Sequence, residues 1–268
     1  TQNTDEIVET VLRIAPVFGG INLEDISAPP CFEIEERLKN ELPIPVMHDD
    51  QHGTAIVVLA GLINAFKVRG TPLKDAKVVI VGAGAAGTAI AKLLSLNGTR
   101  DIILVDSRGI IEKSRPDLAP YKQELARLTN PRNVVGGTKE ALTGADAFIG
   151  VSGPNIVKAS DIELMSAKPI VFSMANPIPE IMPEEAKKGG AYIIATGRSD
   201  FPNQINNSLV FPGVFRGALD NKVRKITDGM KLKAAEALAK LVKKPTTQNI
   251  IPDMFDPRAV KAVAACIK

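Results

Sequence analysis

The sequence predicts the α/β class: a doubly wound parallel sheet with part of a second α/β domain beside it. Three observations carry this. Short apolar runs recur at Val78–Val81, Asp101–Val105, Ala147–Val151, Ile170–Ser173 and Tyr192–Ala195, each of strand length. The intervals between them leave room for the crossover helices that parallel strands require. Finally, 268 residues with 45% hydrophobic and 24% charged side chains suit one large or two small globular domains.

The elements follow in order. Thr4 reads as an N-cap, with Asp5 and Glu6 in the first turn, and Ile7, Val8, Val11, Leu12 and Ile14 form a helical stripe up to Pro16. Val17–Leu23 reads as a short buried strand ending in Glu24 and Asp25. A Pro-marked turn at Ala28–Pro30 leads to a helix over Cys31–Asn40. The extended run Ile44–Met47 ends in His48, Asp49 and Asp50. Thr54–Val68 is apolar at nearly every position, a mostly buried helix. From Lys77 the β-α alternation begins, with a helix over Ala85–Asn97 after the first strand. After Pro212 the chain turns helical, over Val214–Leu219, Asp228–Lys243 and Pro257–Ile267.

Composition excludes several functions. Thirty-three Lys+Arg against 30 Asp+Glu leave a net +3, too balanced for a polyanion binder. Two Tyr, nine Phe and no Trp give few surfaces for stacking nucleic-acid bases. Cys31 and Cys266 form no CxxC, which argues against a disulfide scaffold or structural zinc and for buried thiols in a reducing compartment. The uncharged run Val78–Ala91 is shorter than the about 20 residues of a spanning helix. No signal peptide is visible, so a cytoplasmic protein without membrane or nucleic-acid partners is expected. The opening TQNTDEIVET lacks an initiator Met and reads as a start inside a larger protein.

The clearest motif is Gly82-Ala-Gly84-Ala85-Ala86-Gly87. It follows a strand, opens a helix, and has Asp106 nineteen residues beyond it at the end of the next strand, the full context of a Rossmann dinucleotide fingerprint. Gly82 serves the tight turn, Gly84 the approach of a pyrophosphate, and Gly87 close helix–strand packing. An ordinary Gly-rich turn is the weaker alternative. Asp106 suits the ribose hydroxyls of NAD, while Ser107 and Arg108 suit a 2′-phosphate, so NAD and NADP both stay open. Gly150-Val-Ser152-Gly153 is a second close-approach loop, expected near the nicotinamide half, or else a plain strand-to-loop turn.

Glu24-Asp25 and Asp49-Asp50 each end a strand, where ligands bind in α/β sheets. If they converge, their mutual repulsion calls for a cation, and all-oxygen ligation suits Mg²⁺ or Mn²⁺. Two solvated loop ends are the equal alternative. His48 and His52 lack the spacing of a zinc site and read as positioning or loop residues. Asn176, Asn206 and Asn207 lie after predicted strands; an amide binds a carboxylate or a carboxamide, but Asn-Pro and Asn-Asn also favour turns.

Five stretches together resemble the malic enzyme family, in an order similar to its shorter, prokaryotic type. They are FGGINLEDISAPPCFEIE (18–35), PVMHDDQHGTAIVVLAGLINA (45–65), VVIVGAGAAGTAIAKLL (78–94), FSMANPIPE (172–180) and NQINNSLVFPGVFRGAL (203–219). The resemblance covers essentially the whole chain. It implies oxidative decarboxylation of (S)-malate to pyruvate with NAD(P)⁺, and a homo-oligomer, expected as a dimer. It places Glu24, Asp25 and Asp50 on the family's metal ligands and Asp49 on the acid that supports a catalytic lysine. Asn176 and Asn207 fall near malate and the nicotinamide, with Asn206 a further cofactor candidate. The family's lysine, tyrosine and substrate-binding arginine match no segment here. The chain is therefore expected to be the cofactor- and metal-binding portion, with little turnover unless a preceding segment completes it. A non-catalytic dinucleotide-binding module and a metal-independent amino- or hydroxy-acid dehydrogenase are the alternatives. The expected division is residues 1–49 in a substrate and metal domain, 50–206 in the NAD(P)-binding domain, and 207–268 as helices returning to the first.

Overall fold

A computed structural model describes residues 1–268. Helix α1 (Thr4–Ile14) is capped by Asn3, whose Oδ1 accepts the N–H groups of Asp5 at 2.9 Å and Glu6 at 3.2 Å. The cap thus precedes the expected Thr4. Pro16 lies in a 3₁₀ turn over Ala15–Val17, so strand β1 is only Ile21–Leu23. Helix α2 (Pro30–Glu41) follows, then β2 (Val46–His48), parallel to β1 with Leu23 opposite His48. A small core of Val8, Leu23, Ile34, Leu38 and Val46 joins these elements.

Helix α3 runs Asp49–Arg69 and starts directly after β2, not at Thr54. Asp49 and Asp50 occupy its first turn, where the helix dipole favours negative charge. An apolar count alone therefore places the start too late. By length and composition α3 is able to cross a bilayer, which the reading from Val78–Ala91 overlooked. Its most apolar window is 72% buried inside the protein, so here it is the central core helix.

The main sheet comprises β3 (Lys77–Val81), β4 (Asp101–Asp106), β5 (Gly109–Ile110), β6 (Ala147–Gly150), β7 (Ile170–Ser173) and β8 (Ile193–Thr196). Their order is β5-β4-β3-β6-β7-β8, parallel except for the two-residue edge strand β5. Helix α4 (Ala85–Leu96) connects β3 to β4; α5 (Pro120–Leu128) and α6 (Thr138–Leu142) precede β6; α7 (Ala159–Ile162) and α8 (Pro183–Lys188) follow it. Val78 and Ile80 face the large core that holds α3 and α4, whereas Val79 and Val81 face a second core with α6, α7 and α8. Both faces are covered, so the sheet is doubly wound. The chain leaves β3 for β4 and then returns across it to β6. This places a crevice at the carboxyl ends of β3 and β6.

Helices α9 (Phe211–Asp220), α10 (Asp228–Lys240) and α11 (Arg258–Ala264) complete the fold. Residues 207–268, expected to return to the first domain, also pack on the large core. Ala234, Ala235, Leu238, Ala259 and Val263 belong to the large core around α3 and the sheet. The alanines let α10 lie close against α3. Buried Asn64 of α3 pins the packing by donating to Ala239 O and Ile250 O, both at 2.9 Å. Contact with the N-terminal part includes Phe215 and Leu219 against Gly20 and Gly19.

Candidate active site

At the end of β3 the backbone of Gly82 has φ +115, and a Cβ there would lie 2.3 Å from Val151 O. Glycine is required on both counts. A Cβ on Gly87 would lie 1.7 Å from Gly82 O, so α4 packs directly on the turn. A Cβ on Gly84 would meet nothing within 4 Å. Gly84 thus opens onto a cleft of about 630 Å³. Gly82, Gly84 and Ala85 line it on one side, Asp106 and Ser107 beside them, and Ser152 and Gly153 opposite. Ala86 does not line this cleft but packs against the large core, and Gly150 is buried beneath Glu180. Ser27 and Ala28 bring the loop after β1 to the same cleft.

Asp106 is nearly buried and fully engaged. Its Oδ1 accepts Arg108 N–H at 2.9 Å and Arg115 Nη1 at 2.9 Å; its Oδ2 accepts Arg115 Nη2 at 3.3 Å and Lys122 Nζ at 2.6 Å. A carboxylate offers about four lone-pair sites, and here four donors occupy them. Burial opposes ionisation, but Arg115 and Lys122 outweigh it and hold the carboxyl below its ordinary range. A ribose hydroxyl must share or displace one of these donors. The side chain of Arg108 points instead to Asp117, at 3.0 Å, and is largely exposed. Arg115 and Lys122 escaped the sequence reading because no spacing rule links them to Asp106.

The two acidic pairs do meet. Strands β1 and β2 are parallel neighbours, so Glu24-Asp25 and Asp49-Asp50 leave the same edge. Asp25 adopts φ +58, an uncommon left-handed conformation, and its N–H donates to Asp50 Oδ2 at 2.8 Å. Asp49 is fully buried; its Oδ2 accepts Asn207 Nδ2 at 2.7 Å, while its Oδ1 has no hydrogen-bond partner. One helical turn on, Gly53 leaves room for this carboxylate, since a Cβ there would be 1.8 Å from Oδ1. Burial, followed by the charges of Glu24 and Asp50, pushes Asp49 up to about 7 against the Asn207 hydrogen bond.

His48 and His52 serve as supports. His48 Nε2 stands 3.1 Å from Ile26 O, holding the loop after Asp25. Buried Glu35, unnoticed in the sequence, accepts His48 N–H at 2.9 Å, approaches His52 Nε2 at 2.9 Å and pairs with Lys39 Nζ at 2.7 Å. Burial opposes its ionisation, but His52 and Lys39 hold it well below the usual range. Asn206 caps the 3₁₀ turn Asn207–Leu209 by accepting Ser208 N–H at 3.0 Å. Its side-chain oxygen is thus used as a turn cap. Asn176 is exposed just beyond β7.

The donor chemistry of Glu24, Asp25 and Asp50 is all-oxygen and anionic, which fits a hard divalent cation. The side chains are adjacent but not closed into a coordinating group of three. Cys31 is buried, and burial followed by the charge of Glu35 pushes its thiol up to about 11, far from a nucleophile's range.

Residues 51–267 match the family model described as malic enzyme, NAD binding domain, and residues 1–39 match malic enzyme, N-terminal domain. The chain is 55% identical to the NAD-dependent malic enzyme of Geobacillus stearothermophilus, over 100% of its own length and 56% of that protein's. It is 52% identical to the bifunctional malic/malolactic enzyme of Bacillus subtilis, over 100% and 66% respectively. The crystal structure of NAD-dependent malic enzyme from Thermotoga maritima superposes with a TM-score of 0.95 at 47% identity, covering 100% of this chain and 71% of that one. The chain thus spans 56% to 66% of the length of these two curated relatives.

Proposed function

We propose that this chain, which belongs to the malic enzyme family, forms the dinucleotide- and metal-binding part of an enzyme that converts (S)-malate to pyruvate and CO₂ while reducing NAD⁺ or NADP⁺. The observation that carries this reading is buried Asp49, flanked by Glu24 and Asp50, in the same chain as the Gly82–Gly87 cleft. Neither a bare dinucleotide-binding module nor a metal-independent dehydrogenase needs four acids gathered at one sheet edge.

Glu24, Asp25 and Asp50 would hold Mg²⁺ or Mn²⁺. The cation, when bound, supplies Lewis-acid polarisation of the substrate's hydroxyl and carboxylate oxygens. The dinucleotide, when bound, supplies the hydride acceptor. Asp49 answers to the charge around it. Two causes of its raised proton affinity are Glu24 and Asp50; with those charges neutralised, it favours the ionised form more strongly. Asn207 fixes its orientation through Oδ2, leaving Oδ1 to accept a donor. The reading assigns that donor to a lysine in sequence outside this chain. Asn176, exposed beyond β7, offers an amide to the substrate carboxylate or the nicotinamide carboxamide. Exposed Val17, Phe18 and Leu219 fit a face covered by further sequence or by the second subunit of a cytoplasmic dimer.

The test compares the product of the full open reading frame with the 268-residue chain. The full product is expected to form pyruvate and NAD(P)H from malate, and EDTA or Asp50→Asn to abolish this. The chain alone is expected to bind dinucleotide without steady turnover. Malate-dependent reduction indifferent to EDTA would overturn the metal assignment, and steady turnover by the chain alone would overturn its assignment as a portion.

A further inference from the structure

Glu180 is fully buried, yet no Lys, Arg or His side chain hydrogen-bonds to its carboxylate. Neutral donors hold it instead. Oε1 accepts Ser152 N–H at 2.8 Å; Oε2 accepts Ala175 N–H at 3.0 Å and Ser173 Oγ at 3.1 Å. Ser173 Oγ in turn accepts Ile181 N–H at 3.0 Å, so the hydroxyl is fixed from both sides. Gly150 clears the space, because a Cβ there would lie 2.5 Å from Glu180 Cδ. One side chain therefore ties the residues after β6 to those after β7.

Ser152 lines the cleft opposite the Gly-rich turn, and the residues after β7 come next along the same sheet edge. Along the carboxyl edge of the sheet, the strand order places Asp106 at the end of β4, the Gly-rich turn after β3, Ser152 and Gly153 after β6, and Asn176 after β7. A dinucleotide with its adenosine near Asp106 and its pyrophosphate at Gly84 carries its nicotinamide half over the last two loops. We propose that Glu180 is a positioning residue for that half: its hydrogen bonds to Ser152, Ser173 and Ala175 set the spacing at which the two loops receive the nicotinamide ring. The proposal rests on the dinucleotide reading above and deepens it.

Glu180→Gln tests it in the product of the full open reading frame. Glutamine keeps the shape but offers one acceptor and one donor, so one of the two loops loses its tie. Titration calorimetry uses whichever of NAD⁺ and NADP⁺ the wild type binds more tightly, and the matching ADP-ribose or 2′-phospho-ADP-ribose, which lacks the nicotinamide. Glu180→Gln is expected to weaken the dinucleotide about tenfold, as for a lost buried hydrogen bond, and the fragment less than about twofold. Ser173→Ala keeps both backbone ties and removes only the hydroxyl; it is expected to give a smaller loss with the same selectivity, and it decides the matter if Glu180→Gln fails to fold. Equal weakening of both ligands, or no weakening, overturns the proposal while leaving the dinucleotide reading intact. A wild-type protein that binds neither ligand overturns both.

Discussion

Gly84 and Gly87 are three residues apart in one motif, yet the structure assigns them opposite consequences. Gly84 has φ −85 and ψ −154, an extended conformation open to alanine, and its Cβ would meet nothing within 4 Å. Gly84→Ala gains about 0.4–1 kcal/mol from the less flexible unfolded chain, and loses a similar amount because alanine is a poorer N-cap. Its net effect on stability is within about 1 kcal/mol of zero. Gly87→Ala places a Cβ 1.7 Å from Gly82 O, a backbone atom that moves only if helix and strand separate. Overpacking of this kind costs about 1–3 kcal/mol. Gly82→Ala adds a strained φ of +115 to a 2.3 Å approach to Val151 O, for a similar or larger loss. In a protein of this size, 2 kcal/mol corresponds to a fall of roughly 4–8 °C in Tm. Binding should reverse the order. The methyl of Gly84→Ala stands where a pyrophosphate must approach, and a tenfold loss of dinucleotide affinity corresponds to about 1.4 kcal/mol. Thermal denaturation and calorimetric titration on the same samples give both rankings. A Gly84→Ala protein that keeps its Tm and binds NAD(P)⁺ as tightly as wild type would refute the placement of the pyrophosphate.

Three further outcomes follow from the charge networks. Lys122→Ala removes a donor from Asp106 Oδ2 and frees a lone pair for a ribose hydroxyl; the ratio of NADP⁺ to NAD⁺ affinity should fall severalfold, and an unchanged ratio would mean Lys122 does not face the ribose. Arg115→Ala, which removes a nearly buried partner of Asp106 and Asp117, should lower stability by about 2–4 kcal/mol in urea titration; a loss under about 1 kcal/mol would show the cluster to be loose. Burial, opposed by Glu35 but reinforced by Lys231 and Lys39, pushes His52 down to about 4. A depressed base favours the neutral folded form, so this contribution is complete above about 6.5 and fades as pH falls towards about 4. It amounts to roughly 2–4 kcal/mol, and Tm measured across that window should drop less steeply in His52→Gln than in wild type.

What could be read from the sequence was what the chain encodes locally. The glycine fingerprint works at fixed offsets because a single strand–turn–helix sets all of its geometry, and Gly82, Gly84 and Gly87 stand as those offsets require. The acidic pairs were legible at one remove: each ends a short strand, and parallel pairing of β1 with β2 brings them together. The residues that lock these features in place were not legible, because their partners are set by the tertiary fold. Glu35 reaches the first turn of α3 from a different helix, Asn207 reaches Asp49 from 158 positions away, and Lys122 reaches Asp106 from α5. The same division applies at Gly150. Its pattern matches a loop that approaches a ligand, but the group it makes room for is Glu180, thirty residues on. A glycine after a strand reports only that something comes close. Whether that something is a phosphate, as expected at Gly84, or a buried carboxylate, as at Gly150, depends on which face of the sheet edge the space opens towards.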